Sequence, residues 1–131
     1  MSTNYTVTVA DFANRHHIKD FSKKYKGAWD ITWRALEREL QSIDVLFSGS
    51  IAETIVDSDE IKICKVEFRI AGTKQSRHGS GNRCIIAIHK QTQKIDILLV
   101  YHKSRLSGSG SETAKWKRVV KQEYKEYRNL L

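Results

Sequence analysis

The amino-acid sequence predicts an α+β fold: a small antiparallel sheet with an N-terminal helical hairpin on one face and a C-terminal helix. Three observations lead there. Apolar residues recur at helical spacing from Ile18 to Phe47, two nearly continuous apolar runs follow between Arg83 and His102, and an amphipathic stripe closes the chain after a glycine-serine segment.

Tyr5-Thr6-Val7-Thr8-Val9 alternates with period two and is rich in β-branched residues, so it reads as the first strand. Ile18, Phe21 and Tyr25 then mark a first helix, which Gly27 stops. Trp29, Trp33, Leu36, Leu40, Ile43 and Phe47 form the stripe of a second, flanked by Arg34, Glu37, Arg38, Glu39 and Gln41. Two helices joined this closely form an antiparallel hairpin with its tryptophans in the core. After Ser48-Gly49-Ser50 the pattern becomes extended. Residues Ile61 to Ile70 place Cys64, Val66, Phe68 and Ile70 on one face and Lys65, Glu67 and Arg69 on the other. Residues Arg83–His89 and Ile95–His102 are two further strands, apolar enough to be covered on both faces, with Gln91-Thr92-Gln93 as the hairpin turn. The polar segment Ala71–Asn82 is expected to be a loop whose backbone N–H groups wrap phosphates, closed by Lys74 and Arg77 beside His78. It lacks the residue order of a P-loop and is followed by a strand, so it makes neither a P-loop nor a dinucleotide site. In the last element, Ser109 and Glu112 match a capping box, and Trp116, Val119, Val120, Tyr124 and Tyr127 share one stripe. Lys117, Arg118, Lys121, Lys125 and Arg128 project opposite it as a basic face.

A chain of 131 residues, 40% hydrophobic and 29% charged, suits one domain over residues 1–131. Cys64 and Cys84 sit in apolar runs and read as reduced core thiols. No stretch reaches the roughly 20 apolar residues of a membrane span. Met1-Ser2-Thr3-Asn4 lacks the regions of a signal peptide, so a cytoplasmic protein with no membrane contact is expected. The charge is uneven: 7 Lys or Arg against 10 Asp or Glu in residues 1–60, a net −3, and 16 against 5 in residues 61–131, a net +11. Such an excess suits a polyanion-binding surface, because lysine and arginine displace phosphate counterions. The favoured arrangement packs the hairpin on one sheet face and presents a basic concave surface on the other.

Alternation sets Lys65, Glu67 and Arg69 side by side, and Arg83 can join them. The third strand ends in Tyr101, His102 and Lys103, with Arg105 beyond. Cleavage of RNA by its own 2′-OH needs a base, cations for the pentacovalent phosphate, and an acid for the leaving oxygen, and this set holds all three kinds. The histidines His16, His17, His78, His89 and His102 show no ligand spacing, so neither metal nor cofactor is expected. Because Tyr101 and His102 are consecutive, a regular strand lets only one of them face the arginines.

Phe68-Arg69-Ile70, Asn82-Arg83-Cys84-Ile85-Ile86-Ala87-Ile88 and Leu98-Leu99-Val100-Tyr101-His102-Lys103, following a strand and a helical hairpin, resemble the RelE/ParE toxin superfamily. The resemblance to its RelE, YoeB and HigB branch implies a ribosome-dependent mRNA endonuclease held silent by a cognate antitoxin protein. By that likeness Arg69 and Arg83 grip the scissile phosphate, His102 is an acid or base, and Tyr101 and Glu67 complete the catalytic set. Lys65, Lys74, Arg77, His78, Lys103, Arg105, Lys117, Lys121 and Lys125 are the candidate RNA contacts. The family's upstream carboxylate is open among Glu53, Asp57 and Glu67. The alternatives are a ParE-like inhibitor of DNA gyrase without catalysis and a nonenzymatic RNA-binding module.

Overall fold

The structure, a computed structural model, describes residues 4–131; Met1, Ser2 and Thr3, part of the segment read above as lacking a signal sequence, lie outside them. Strand β1 (Thr6–Val9) leads into a helical stretch made of α1 (Asp11–Ala13), a π-helical turn (Asn14–Ile18) and α2 (Lys19–Lys24). Gly27, at φ +80°, lets the chain reverse into α3 (Ala28–Gln41) and α4 (Ile43–Ser48). Strands β2 (Ala52–Asp57) and β3 (Ile61–Phe68) follow, then a short helix α5 (Arg77–Ser80), strands β4 (Asn82–His89) and β5 (Lys94–His102), and a 3-10 turn (Lys103–Arg105). Helix α6 (Glu112–Glu123) and a second 3-10 segment (Lys125–Leu130) end the chain. Among the described residues, no helix is long and apolar enough to cross a membrane.

The sheet order is β1-β5-β4-β3-β2. Strands β2 to β5 form an antiparallel meander, and β1 joins β5 in parallel, so the sheet is antiparallel except at that edge. The hairpin covers one face. Phe21, Trp29, Leu36, Leu40, Ile43 and Leu46 pack there on Cys64, Val66, Phe68, Cys84, Ile86, Ile97 and Val100. Both cysteines are free and buried, and burial pushes the Cys64 thiol up to about 11 and Cys84 higher still.

The opposite face is not the open basic surface expected. Trp116, Val120, Tyr124 and Tyr127 of the C-terminal segments close it over Ile63, Ile85, Leu98, Leu99 and Tyr101. Apolar residues on both sides of β4 and β5 require this, since exposing each such side chain would cost about 1.5–3 kcal/mol. The basic face of the last helix is correspondingly shorter than its sequence pattern. Helix α6 stops before Tyr124, whose backbone is extended, so Lys117 and Lys121 lie on it while Lys125 lies in the 3-10 segment and Arg128 Nε donates to the Lys121 carbonyl. The cap is Ser111, whose Oγ accepts from the Ala114 N–H, and Ser109 instead offers its carbonyl to Arg118.

Strand β5 carries one residue too many. Ile85 pairs with Leu99 but Ile86 pairs with Ile97, leaving Leu98 as a β-bulge. The bulge changes the side-chain phase: Ile95, Ile97 and Val100 face the hairpin, while Leu98, Leu99 and Tyr101 face α6. Strand β1 pairs with β5 only as far as Ile97, so the backbone beyond must find partners elsewhere. Tyr124 Oη donates to the Leu98 carbonyl at 2.7 Å, and the Val100 N–H donates to Nδ1 of His17 at 3.1 Å.

At the other end of β5, Asp96 accepts from Thr8 Oγ1 at 2.6 Å and from Tyr127 Oη at 2.9 Å, with His89 Nε2 3.1 Å away. Burial opposes its charge, but these hydrogen bonds and the nearby His89 prevail and hold the carboxyl below its ordinary range. The stabilisation is therefore whole above about pH 4 and is lost as pH falls through the lower folded value. Denaturant unfolding of Asp96→Asn between pH 2 and 6 should show a shallower acid limb than the parent chain. An unchanged limb would mean that Asp96 does not link β1, β5 and the C-terminal segment.

Candidate functional site

The bulge divides the expected site between two faces. Arg83 stands opposite Tyr101 and Glu67 under α6, whereas Asn82 stands opposite His102 on the hairpin side. His102 and Arg83 therefore project towards opposite sides of the sheet.

Under α6, Arg83 is 2% exposed. Its Nη2 lies 3.2 Å from Glu67 Oε2 and donates to the His78 carbonyl, its Nη1 donates to the Asn82 carbonyl, and its Nε, 3.6 Å from Glu112 Oε2, makes an ion pair without a hydrogen bond. Tyr101 Oη donates to Glu112 at 2.9 Å; burial first, then that carboxylate, raise the phenol pKa above its ordinary range. His78 is exposed and its Nδ1 lies 2.7 Å from Glu67. The expectation that Arg83, Tyr101 and Glu67 present an open catalytic surface is corrected here. They form a closed network of one cation between two carboxylates, because α6 brings Glu112 down onto the sheet.

The loop expectation is corrected as well. Residues 77–80 are helical, capped by Ser76, and the N–H groups of Gly79, Ser80 and Gly81 are spent on Ser76 Oγ, the Ser76 carbonyl and the His78 carbonyl. They do not remain free to wrap phosphate. Arg77 turns to α3, where both its Nη atoms pair with Glu39. Lys65 pairs with Glu53 at 3.5 Å. Arg69, just past β3, is exposed, as are Lys74, Lys103, Arg105, Lys121 and Lys125, while Lys117 is half-buried.

On the hairpin side a cavity of about 660 Å³ opens between the α1–α2 stretch and the end of β5. His102 and Arg105, both among the candidates from sequence, line it together with His16, His17, Lys23 and Lys24. Among its lining residues Asp20 alone is acidic. His17 was legible only in part. Its spacing of four from Phe21 and eight from Tyr25 marks it as inward-facing, but the sequence does not show the π-helical turn that carries it, a distortion that recurs at functional sites. Because Nδ1 accepts the Val100 N–H, the neutral ring carries its proton on Nε2. Burial, with repulsion from His16, pulls its pKa down to about 4 against the attraction of Asp20. At neutral pH it is an uncharged donor, comparable in kind to a backbone amide. His102 is half-buried; its Nδ1 accepts the Ser104 N–H at 3.1 Å and lies 2.7 Å from Ser104 Oγ. Its ring rests on Gly81, where φ is +77° and an added Cβ would fall 2.6 Å from Nε2, so a glycine there lets the imidazole lie flat at the cavity wall. Among the described residues, no group of three or more His, Cys, Asp or Glu side chains is placed to hold a metal ion.

No family model matches the sequence, and no curated protein matches it. Among solved structures, a chain of the archaeal RelE–RelB complex from Pyrococcus horikoshii OT3 aligns with a TM-score of 0.52 at 13% identity, over 79% of this chain and 99% of that one. The fold is RelE-like. The match spans nearly the whole of the archaeal chain, and about a fifth of this chain lies outside it.

Two measurements probe this site. Nitrogen NMR of the histidines should show His17 unprotonated at Nδ1 and titrating near pH 4, so that stability falls as pH drops from about 6.5, where the unfolded chain takes up the proton, towards 4. A midpoint near 6.5 would mean that the bond to Val100 is not held. Arg83→Ala should lower the unfolding free energy by about 2–3 kcal/mol, somewhat less than for a wholly buried pair because Glu67 and Glu112 retain partial exposure. An unchanged midpoint in urea would show that the network is not structural.

Proposed function

We propose that the protein is the toxin of a toxin–antitoxin pair, a cytoplasmic, metal-independent endoribonuclease that cuts mRNA at the ribosome. The observation that carries this reading is the cation-rimmed cavity holding His102 on a RelE-like fold. The reaction is attack of a ribose 2′-oxygen on the adjoining phosphorus. The 2′-proton is withdrawn, the 2′-O–P bond forms, the P–O5′ bond breaks, and a proton passes to the departing 5′-oxygen. A 2′,3′-cyclic phosphate and a 5′-hydroxyl result. His102 handles a proton, because an imidazole both gives and takes one near neutrality. Arg105, Lys23 and Lys24 offset the charge of the phosphorane, and Nε2–H of His17 donates to one of its oxygens without adding charge. Arg83, Tyr101 and Glu67 hold β3, β4, β5 and α6 in register and so position this wall of the cavity. The exposed Arg69, Lys74, Lys103, Lys121 and Lys125 meet phosphates beyond the scissile one, and the partner is an antitoxin whose acidic segment covers this charge.

The closed network around Arg83 favours a second reading, in which the chain binds RNA or DNA gyrase without chemistry, since the strand arginine is not free to reach a phosphate. One set of assays separates the two. Incubated with translating ribosomes and a message, the protein should yield fragments ending in 2′,3′-cyclic phosphate. His102→Gln should lower single-turnover cleavage by roughly 10²–10⁴-fold and flatten its pH profile, with ribosome affinity little changed. RNA retention without cleavage, or loss of supercoiling in a parallel gyrase assay, would overturn the ribonuclease reading.

A further inference from the structure

We propose that Ser104 is the positioning residue that commits His102 to the acid's part, in which the ring gives its Nε2 proton to the departing 5′-oxygen. The inference rests on the ribonuclease reading for the identity of the step, and on the 3-10 turn for its geometry. Directly after β5 the chain enters that turn, and the Lys103 N–H donates to the Gly81 carbonyl at 2.8 Å. The turn folds Ser104 back onto His102. Both polar groups of Ser104 then address one ring nitrogen, the N–H 3.1 Å from Nδ1 and Oγ 2.7 Å from it. Nδ1 is thus the anchored nitrogen, which leaves Nε2 to meet a substrate.

The two groups make opposite demands. A backbone N–H only donates, so it needs the Nδ1 lone pair, and the neutral ring then carries its proton on Nε2. In that form Nε2 has no lone pair with which to withdraw the 2′-proton. A hydroxyl both donates and accepts. When a second proton arrives at Nδ1, Ser104 Oγ turns to accept it, and this short charge-assisted bond outweighs the opposed N–H. The imidazolium then gives its Nε2 proton to O5′ as the P–O5′ bond breaks and its electron pair stays on that oxygen. The ring is left neutral with its proton on Nδ1, still held by Oγ, and solvent returns a proton to Nε2. Across the cavity the helical stretch faces this ring with His16, His17, Asp20, Lys23, Lys24 and Tyr25, and the 3-10 turn with Arg105. The three cations repel an imidazolium and Asp20 attracts it. A bound phosphate offsets the cations, whereas Ser104 is the acceptor fixed beside Nδ1.

Nitrogen NMR of the RNA-free chain and single-turnover cleavage on translating ribosomes, each followed across pH, test this on Ser104→Ala and Ser104→Thr. Ser104 is exposed, so neither variant disturbs the core. In the parent chain the neutral His102 ring should carry its proton on Nε2. Cleavage should fall as pH rises through the titration of that ring, because the imidazolium is the acid. Ser104→Ala keeps the opposing N–H and removes the acceptor. Its His102 midpoint and the alkaline limb of its cleavage profile should both move to lower pH by about one unit, with cleavage on the alkaline limb down about tenfold. Ribosome affinity should not change, and Ser104→Thr, which keeps the hydroxyl, should restore the parent profile. A neutral ring protonated on Nδ1, or cleavage that rises with pH through the same titration, would give His102 the base's part and overturn the inference while the ribonuclease reading stood. An alanine variant that matches the parent chain in both measurements would overturn it in the same way. A midpoint that moves in Ser104→Ala when the parent chain cleaves nothing would instead overturn the ribonuclease reading, and the acid step with it, leaving only the hold of Ser104 on the ring.

Discussion

The extra residue in β5 governs what this molecule presents and what it hides. With Leu98 bulged, Val100 returns to the hairpin core, Tyr101 is driven beneath α6, and His102 emerges at the cavity. Without it the phase set by Ile95 and Ile97 would carry on, placing Tyr101 at the cavity and His102 against Arg83. The bulge in turn depends on backbone groups that β1 is too short to pair, and two side chains from opposite layers meet them: Tyr124 from the C-terminal side and His17 from the hairpin. The two layers are therefore joined through the unpaired edge of one strand as well as through the sheet itself.

Much of the fold was legible because it follows from periodicity. The hairpin stripe from Trp29 to Phe47, the alternation of Cys64 to Ile70 and the turn at Gln91–Gln93 all stand where their patterns put them, although Ser42 breaks the second helix into α3 and α4. The double-sided apolarity of β4 and β5 already implied two covering layers, and the open basic face conflicted with it. Other features depend on pairings that no local pattern encodes. Strand β2 falls in the stretch read as extended after Ser50 but received no bounds of its own, because Ala52–Asp57 has no clean alternation, which its own bulge at Ile55 explains. The cap lies two positions beyond the one that the capping-box spacing of Ser109 and Glu112 picked, because Glu112 docks on Tyr101 and Arg83 and Ser111 accepts the Ala114 N–H in place of Ser109.

The candidate site was legible in composition and not in geometry. Histidine, tyrosine, arginine and glutamate at the strand ends were read as one set, yet alternation sends Tyr101 and His102 to opposite sides of the sheet and the bulge in β5 decides that Tyr101, not His102, joins Arg83 and Glu67. Arg83 illustrates the cost of reading a charged residue at a strand end as surface: its two carboxylate partners, Glu67 and Glu112, lie 16 and 29 positions away in sequence. Conversely, His17 gains significance only where the helical stretch and the β5 terminus converge. The cation excess of the second half is real, but it is spread over the 3-10 turn, α6 and exposed positions such as Arg69 and Lys74 and does not cover one sheet face, while Lys23 and Lys24 at the cavity mouth come from the first half.

The bulge at Ile55 has a consequence for how copies of this chain coexist. Strand β2 is the outer strand of the meander, and such an edge offers unpaired N–H and C=O groups to any extended chain that meets it. Ile55 interrupts the regular spacing of those groups, and the exposed Glu53 and Asp57, paired with Lys65 and Lys90, line the same short edge with ion pairs. A second molecule approaching to extend the sheet would find neither a continuous ladder nor an apolar seam. Resistance to self-templated aggregation is thus written into the strand the sequence pattern made hardest to recognise.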